Sequence, residues 1–403
     1  MSVFALPAEI LLIILRWAVH IPGELSPTFD SIFSSAEYDF ISESTQVKEA
    51  RETSRVLLQV CKEWYPLARD VLFEYISISN ASGLEIVQKE LQQTPPEIRR
   101  RTRGLQFIVE RRFDSIPPPT IRTLMDTLLL LPNLEILRIG GGFDVAMERD
   151  LASHFASHLP NLKLFQSNLG SSTVDRRSDD AGRHYLALPG LRYFSGFWAT
   201  NPDINHLPLI ENTNITYLSL TFERNSNLPV QDIKLPSLRT FAAIGLKRTH
   251  RSVLGFLDLH GPHITSLCIA FYYNDPSELE TEILDRCTSL EEFVRFDLWP
   301  MTPIARIYPS IVRFGLLCEG RGVDIGNSNP GYLNTRFHLG RFPNLETVRM
   351  LVADYESPPV GCTKEMMEDL LYPRGAIRFE DAYRRLIPDP NAEGVFFLTR
   401  SQR

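Results

Sequence analysis

At 403 residues the chain is long enough for two domains or one elongated one, and its 43% hydrophobic and 23% charged content is ordinary for a folded soluble protein. A net charge of −7 offers no general attraction for nucleic acid or anionic membrane. The five cysteines (Cys61, Cys268, Cys287, Cys318, Cys362) are an odd set without a CxxC, so reduced thiols in the cytosol or nucleus are expected rather than disulfides or zinc.

The first element is "LPAEILLIILRWA". Leu6, Ile10, Ile13, Ile14 and Trp17 recur at helical spacing, with Pro7 suited to the first turn. Glu9 and Arg16 cut the apolar run too short for a membrane span. No basic stretch precedes it and no small-residue cleavage site follows, so a secretory signal is not expected. The remaining reading is an apolar helix that needs a partner surface, within this chain or on another protein. An acidic, Ser-rich stretch follows and reads as a loop. Helical periodicity then returns at Leu57, Val60, Cys61, Trp64, Leu67, Ala68 and Val71.

A repeat comes next. "LPNLEILRI" from Leu131 is echoed by "LPNLKLFQS" from Leu159, "LPGLRYFSG" from Leu188, "LPSLRTFAA" from Leu235, "GPHITSLCI" from Gly261, "YPSIVRFGL" from Tyr308 and "FPNLETVRM" from Phe342. "NTNITYLSL" from Asn212 and "CTSLEEFVR" from Cys287 follow the pattern without the proline. Aligned, the first apolar column reads Leu134, Leu162, Leu191, Ile215, Leu238, Ile264, Leu290, Ile311 and Leu345. Three residues on stand Leu137, Phe165, Phe194, Leu218, Phe241, Leu267, Phe293, Phe314 and Val348. All steps but the last are 21 to 29 residues, the range of leucine-rich repeats.

Each unit is expected to be a short strand and a return segment, unable to bury its apolar face alone. Stacked, the units predict an α/β fold: an irregular leucine-rich-repeat solenoid with a parallel sheet over residues 76–360 and a C-terminal cap over 361–403. "TIRTLMDTLLLL", "ERDLASHFASHL" and "PSELETEILDRC" supply helical return segments, the last with a capping box from Ser277 to Glu280. Proline is expected to halt each helix before the next strand. "FEYISI" and "TRGLQF" fit as weaker opening units. The third inward position is uneven, and Arg295 stands in a slot meant for the core.

The first 75 residues resemble the F-box family. The matching residues are Leu6, Pro7, Glu9 and Ile10, then Val60, Cys61 and Trp64, then Leu67 and Ala68, with a long insert near residues 21–50 between the halves. The resemblance implies a helical module that docks the adaptor subunit of an SCF-type cullin–RING ubiquitin ligase, through Leu6, Pro7, Ile10, Leu11, Ile14, Val60, Cys61 and Trp64. It also implies leucine-rich repeats that hold a protein substrate. A second reading stays open: the two helices only cap the open end of the repeats.

Candidate target contacts are the outward Arg138, Tyr193, Tyr217, Arg313 and Arg349, with rim aromatics Trp198, Phe222, Tyr272 and Trp299. The alternative for several of these is a place under the loops, completing the core. Motifs of chemistry are absent. "RIGGGFDVAM" lacks the remaining glycine of a dinucleotide loop and any Gly-Lys-Ser/Thr, and His154 and His158 lack the glutamate of a zinc-protease helix. No active site, metal or cofactor is expected, and neither nucleic acid nor membrane is an expected partner.

Overall fold

The computed structural model describes residues 7–18, 64–108, 117–140, 145–168, 181–198, 209–222, 233–246, 252–271, 277–297, 306–318, 341–352 and 378–380, with a few positions between 52 and 62. Its strands are β1 (Tyr75–Ile78), β2 (Gly104–Ile108), β3 (Ile136–Gly140), β4 (Leu164–Asn168), β5 (Tyr193–Trp198), β6 (Ile210–Glu211), β7 (Tyr217–Phe222) and β8 (Ile233–Lys234). They continue with β9 (Thr240–Leu246), β10 (Ser266–Phe271), β11 (Glu292–Asp297), β12 (Arg313–Cys318), β13 (Thr347–Val352) and β14 (Arg378–Glu380). Twelve of them form one sheet in chain order, β6 and β8 pairing apart as a small second sheet. Every pairing is parallel. The α/β expectation holds at this level.

The second apolar column is a rung of this sheet. Leu137, Phe165, Phe194, Leu218, Phe241, Leu267, Phe293, Phe314 and Val348 are successive register partners from β3 to β13. From Leu137 to Phe314 none is more than 1% exposed, and the first column is buried beside it. Both columns, as far as Phe314 in the second, lie in one long core with the helices Ala81–Gln93, Pro118–Leu129, Val145–His158, Ala181–Leu186, Ser252–His260 and Ser277–Arg286. A parallel strand cannot be reached by a tight hairpin, so each return segment crosses over, and where it holds one of these helices the helix covers this face. "FEYISI" and "TRGLQF" extend the rung through Ile76 and Leu105.

The prolines do something more specific than halt helices. In "LPNL" and its variants the fourth residue's N–H donates to the first residue's carbonyl: Leu134 to Leu131, Leu162 to Leu159, Leu191 to Leu188, Leu238 to Leu235 and Leu345 to Phe342. That is a β-turn with proline at its second position, where the ring already fixes the required φ. The third turn residue then reaches back one unit. Asn161 Nδ2 donates to the Pro132 carbonyl at 3.4 Å, Asn214 to Pro189 at 2.7 Å, Asn344 to Pro309 at 2.8 Å, and Ser289 Oγ to Pro262 at 2.7 Å. These four turns are thereby stapled to the ones before them.

Two local expectations change. Arg295 is in register, between Ile269 and Leu316, and its guanidinium is buried; Nη2 lies 3.2 Å from Glu280 Oε2. Glu280, read as half of a capping box, thus carries its carboxylate into the core to meet that charge. Ser277 is the first helical residue rather than a residue outside the helix.

At the N-terminus, α1 (Ala8–Ala18) packs on α2 (Trp64–Glu74) around a separate small core of Leu15, Ala68 and Val71, flanked by Leu12, Leu57, Trp64 and Leu67. Helix α2 runs directly into β1. The expected insert near 21–50 lies outside the described residues, as does the C-terminal cap save for β14. Among the described residues no helix is long and apolar enough to cross a membrane.

Candidate docking surfaces

Helix α1 has two apolar faces. Leu12 and Leu15 turn toward α2, and the Arg16 guanidinium ties the helix to Glu74, with Nε donating to Oε1 at 3.0 Å. The second face has no partner among the described residues. Ile10, Ile13, Ile14 and Trp17 are 42%, 49%, 44% and 82% exposed. Their spacing of three, four and seven residues makes one stripe over two turns. Of the expected adaptor contacts, Pro7 is exposed, Leu11 and Trp64 are half-buried, and Ile10 and Ile14 lie in the stripe. Leu6, Val60 and Cys61 lie outside the described residues. Ile13 and Trp17 were not among the expected contacts, although their helical spacing marked them, and Trp17 is the most exposed of the four.

On the sheet's other face, Tyr193 and Tyr217 come together, while Arg138 and Arg313 stand on strands far apart. Tyr193 and Tyr217 stack with ring centres 4.2 Å apart and planes 15° from parallel; at 6% and 2% exposed they present little surface to a partner. Phe222 has no exposed surface and belongs to the core, which corrects its expected place on a rim. Trp198 is its register partner on β5. Arg138 is half-buried, its Nη1 donating to the Tyr75 hydroxyl at 3.3 Å, while that hydroxyl donates to Gln106 Oε1 at 3.0 Å. Arg313 stands seven strands away and is tied to Glu292 (Nη2–Oε1 2.6 Å); the other Glu292 oxygen accepts from Ser266 Oγ at 2.7 Å. Arg349 is placed on β13 as the register partner of Gly315. Tyr272 and Trp299 lie outside the described residues.

A feature missed in the sequence runs along the edge where the strands begin. Arg103, Glu135, Lys163, Arg192, Thr216, Arg239, Thr265, Glu291, Val312 and Glu346 are joined in that order, each backbone N–H donating to the carbonyl of the residue before it, at 2.8 to 2.9 Å. Equivalent positions of successive units therefore stand side by side. Glu135 is bridged from both sides, by Arg103 Nη2 at 2.9 Å and Lys163 Nζ at 3.0 Å. Partial burial pushes its pKa up, yet those two cations hold it below the usual carboxylate value. The next two cations, Arg192 and Arg239, are exposed, and neither pairs with a carboxylate among the described residues. The signal was present one place after each first-column residue, but it acquires meaning only once the rungs are aligned.

The groups that could have carried chemistry are engaged structurally. His154 and His158 stack at 4.4 Å, and His158 Nδ1–H donates to the His154 carbonyl one turn back. Burial, reinforced by the neighbouring ring, lowers the His154 pKa. Burial pushes the Cys287 thiol up to about 12, far from a reactive thiolate. Among the described residues no group of His, Cys, Asp and Glu could hold a metal ion. No family model matches the chain, and no curated protein matches it either.

Proposed function

We propose that this protein is a substrate-receptor subunit of an SCF-type cullin–RING ubiquitin ligase. In this reading the N-terminal helices are an F-box module whose exposed stripe docks the adaptor, and through it a cullin. The stacked units are an irregular leucine-rich-repeat solenoid that holds a protein target. The chain contributes no catalytic residue; its action is to raise the target's effective concentration near a ubiquitin-charged enzyme held elsewhere in the complex. It works in the cytoplasm or nucleus and needs no cofactor.

The observation that carries this reading is the stripe of Ile10, Ile13, Ile14 and Trp17. Burying a large apolar side chain is worth about 1.5–3 kcal/mol, so four on one helix face form a strong docking surface when covered. The companion face is already used by Leu12 and Leu15 against α2, so the helix is fixed while its free face points away.

Co-expression with an SCF adaptor, followed by size-exclusion chromatography, tests this. Co-elution with the unmodified chain is expected, and its loss in an Ile13→Asp/Trp17→Asp variant that keeps its melting temperature. A folded chain that ignores the adaptor sinks the ligase reading. It would favour a free-standing repeat scaffold whose first helices merely cap the sheet, a reading supported by the direct run of α2 into β1.

A further inference from the structure

We propose that the rim formed by Lys163, Arg192 and Arg239 binds an extended acidic segment of a protein partner. The proposal rests on the receptor reading only in calling that partner the target; the surface itself is independent of α1.

The rim has three zones. At one end Arg103, Glu135 and Lys163 form a bridged triplet, two cations to one carboxylate. In the middle Arg192 and Arg239 flank Thr216, and Thr265 follows. At the far end the sign reverses at Glu291 and Glu346. In a chain of net charge −7, the triplet thus keeps one positive charge in excess, and beside it Arg192 and Arg239 have no carboxylate partner among the described residues. Like charges on neighbouring strands repel one another, so the arrangement costs stability in the free protein and is relieved when an anion binds.

The dimensions fit a polypeptide. Adjacent strands lie about 4.8 Å apart, which puts Lys163 about 14 Å from Arg239. An extended segment rises about 3.4 Å per residue, so its positions i and i+4 span about the same distance, with i+2 near Arg192. Acidic side chains at alternate positions would each meet a cation. Arg192 and Arg239 offer planar forks suited to carboxylates. Glu291, two strands beyond Arg239, limits the acidic run to this window and repels a longer one.

Single-stranded nucleic acid is the less suitable occupant. Its binding sites combine cations with open aromatic platforms, and the aromatics next to this rim, Tyr193 and Tyr217, are closed on each other.

The test is fluorescence anisotropy at low salt with three labelled probes: a ten-residue peptide with Glu at alternate positions, its Lys counterpart, and a ten-nucleotide single-stranded DNA. The full chain and an Arg192→Glu/Arg239→Glu variant are compared, with a Lys89→Glu/Arg122→Glu variant, on exposed helix positions away from the rim, as control for the same change in net charge. The acidic peptide is expected to bind best, to weaken at least tenfold in the rim variant, and to weaken as salt rises, while the control variant does not lose it. Equal binding of both peptides, retention by the rim variant, or tighter binding of the DNA would overturn the proposal. Adaptor co-elution of the rim variant is read in parallel: acidic-peptide binding without adaptor binding discards the ligase reading and leaves the rim intact.

Discussion

The guanidinium of Arg295 and the carboxylate of Glu280 meet 3.2 Å apart inside the apolar core, each side chain 5% exposed or less. Arg295 occupies a slot filled on the neighbouring strands by Ile269 and Leu316. A charge there survives because its partner comes from the helix that covers the same strand. Removing either partner deprives the other of its buried counter-charge, and breaking a buried pair in this way typically costs about 3–5 kcal/mol. Glu280→Leu or Arg295→Met alone should therefore lower the urea midpoint strongly. The double variant should recover most of the loss, because a well-packed apolar pair avoids the desolvation of two ions. Additive losses in the double variant would show that the two charges are not coupled.

The turn staples predict a graded series. Asn161→Ala and Asn344→Ala each delete one side-chain bond at the surface and should cost about 1 kcal/mol. Asn212 is buried and donates to the carbonyls of both Leu186 and Leu188, at 2.9 and 2.8 Å, while its own oxygen accepts from the Asn214 N–H. Asn212→Ala should cost about 2 kcal/mol or more, since three hydrogen bonds go at once, although the Leu188 carbonyl keeps the Leu191 N–H. Equal effects at 161 and 212, read by chemical denaturation, would count against this ordering.

Gly261 has a steric reason to be glycine. A Cβ there would stand 2.5 Å from the Arg286 carbonyl oxygen, a backbone atom of the next unit that cannot swing aside. Gly261→Ala should destabilise by about 1–3 kcal/mol, the usual range for overpacking a tight site. Thermal melts would show an unchanged midpoint if the backbone yields without strain.

Stability should fall on mild acidification. His260 is buried against Phe256, and its Nε2–H donates to the Ile233 carbonyl at 3.0 Å. Burial, with a smaller contribution from His263, holds its pKa below the ordinary 6.5, in spite of that hydrogen bond. The unfolded chain therefore takes up a proton at a higher pH than the folded one. The stabilisation is fully present above about 6.5 and declines as pH drops below it, until the folded ring also protonates. His154 acts in the same direction. The melting temperature should drop between pH 7.5 and 5.5, and drop less in His260→Gln; the same drop in both proteins would remove His260 as its source.

The repeating core was legible because each unit solves the same burial problem with the same two apolar columns. A period in hydrophobicity survives without knowledge of neighbours, and Leu137 through Phe314 accordingly stand in one rung. What depended on neighbours was less legible. The inward placement of Arg295 makes sense only with Glu280 beside it, and the Asn staples only with the preceding proline's carbonyl. Tyr193, Tyr217 and Phe222 were read as accessible because strand alternation gives a face but not what lies against it. The exposed stripe of α1 followed from helical spacing; that Leu12 and Leu15 form the packed face required α2 in place.

Because Ile136 and Leu164 are register partners, the residues just before them, Glu135 and Lys163, are interchangeable as splice points. Excising 136–163 would join Glu135 to Leu164 and shorten the molecule by one unit without disturbing the phase of any later strand. The shortened chain would place Glu135 directly beside Arg192. A deletion could thus edit the sign of the rim as well as its length, and such gene rearrangements offer a route by which binding preference is rewritten without altering a single surviving residue.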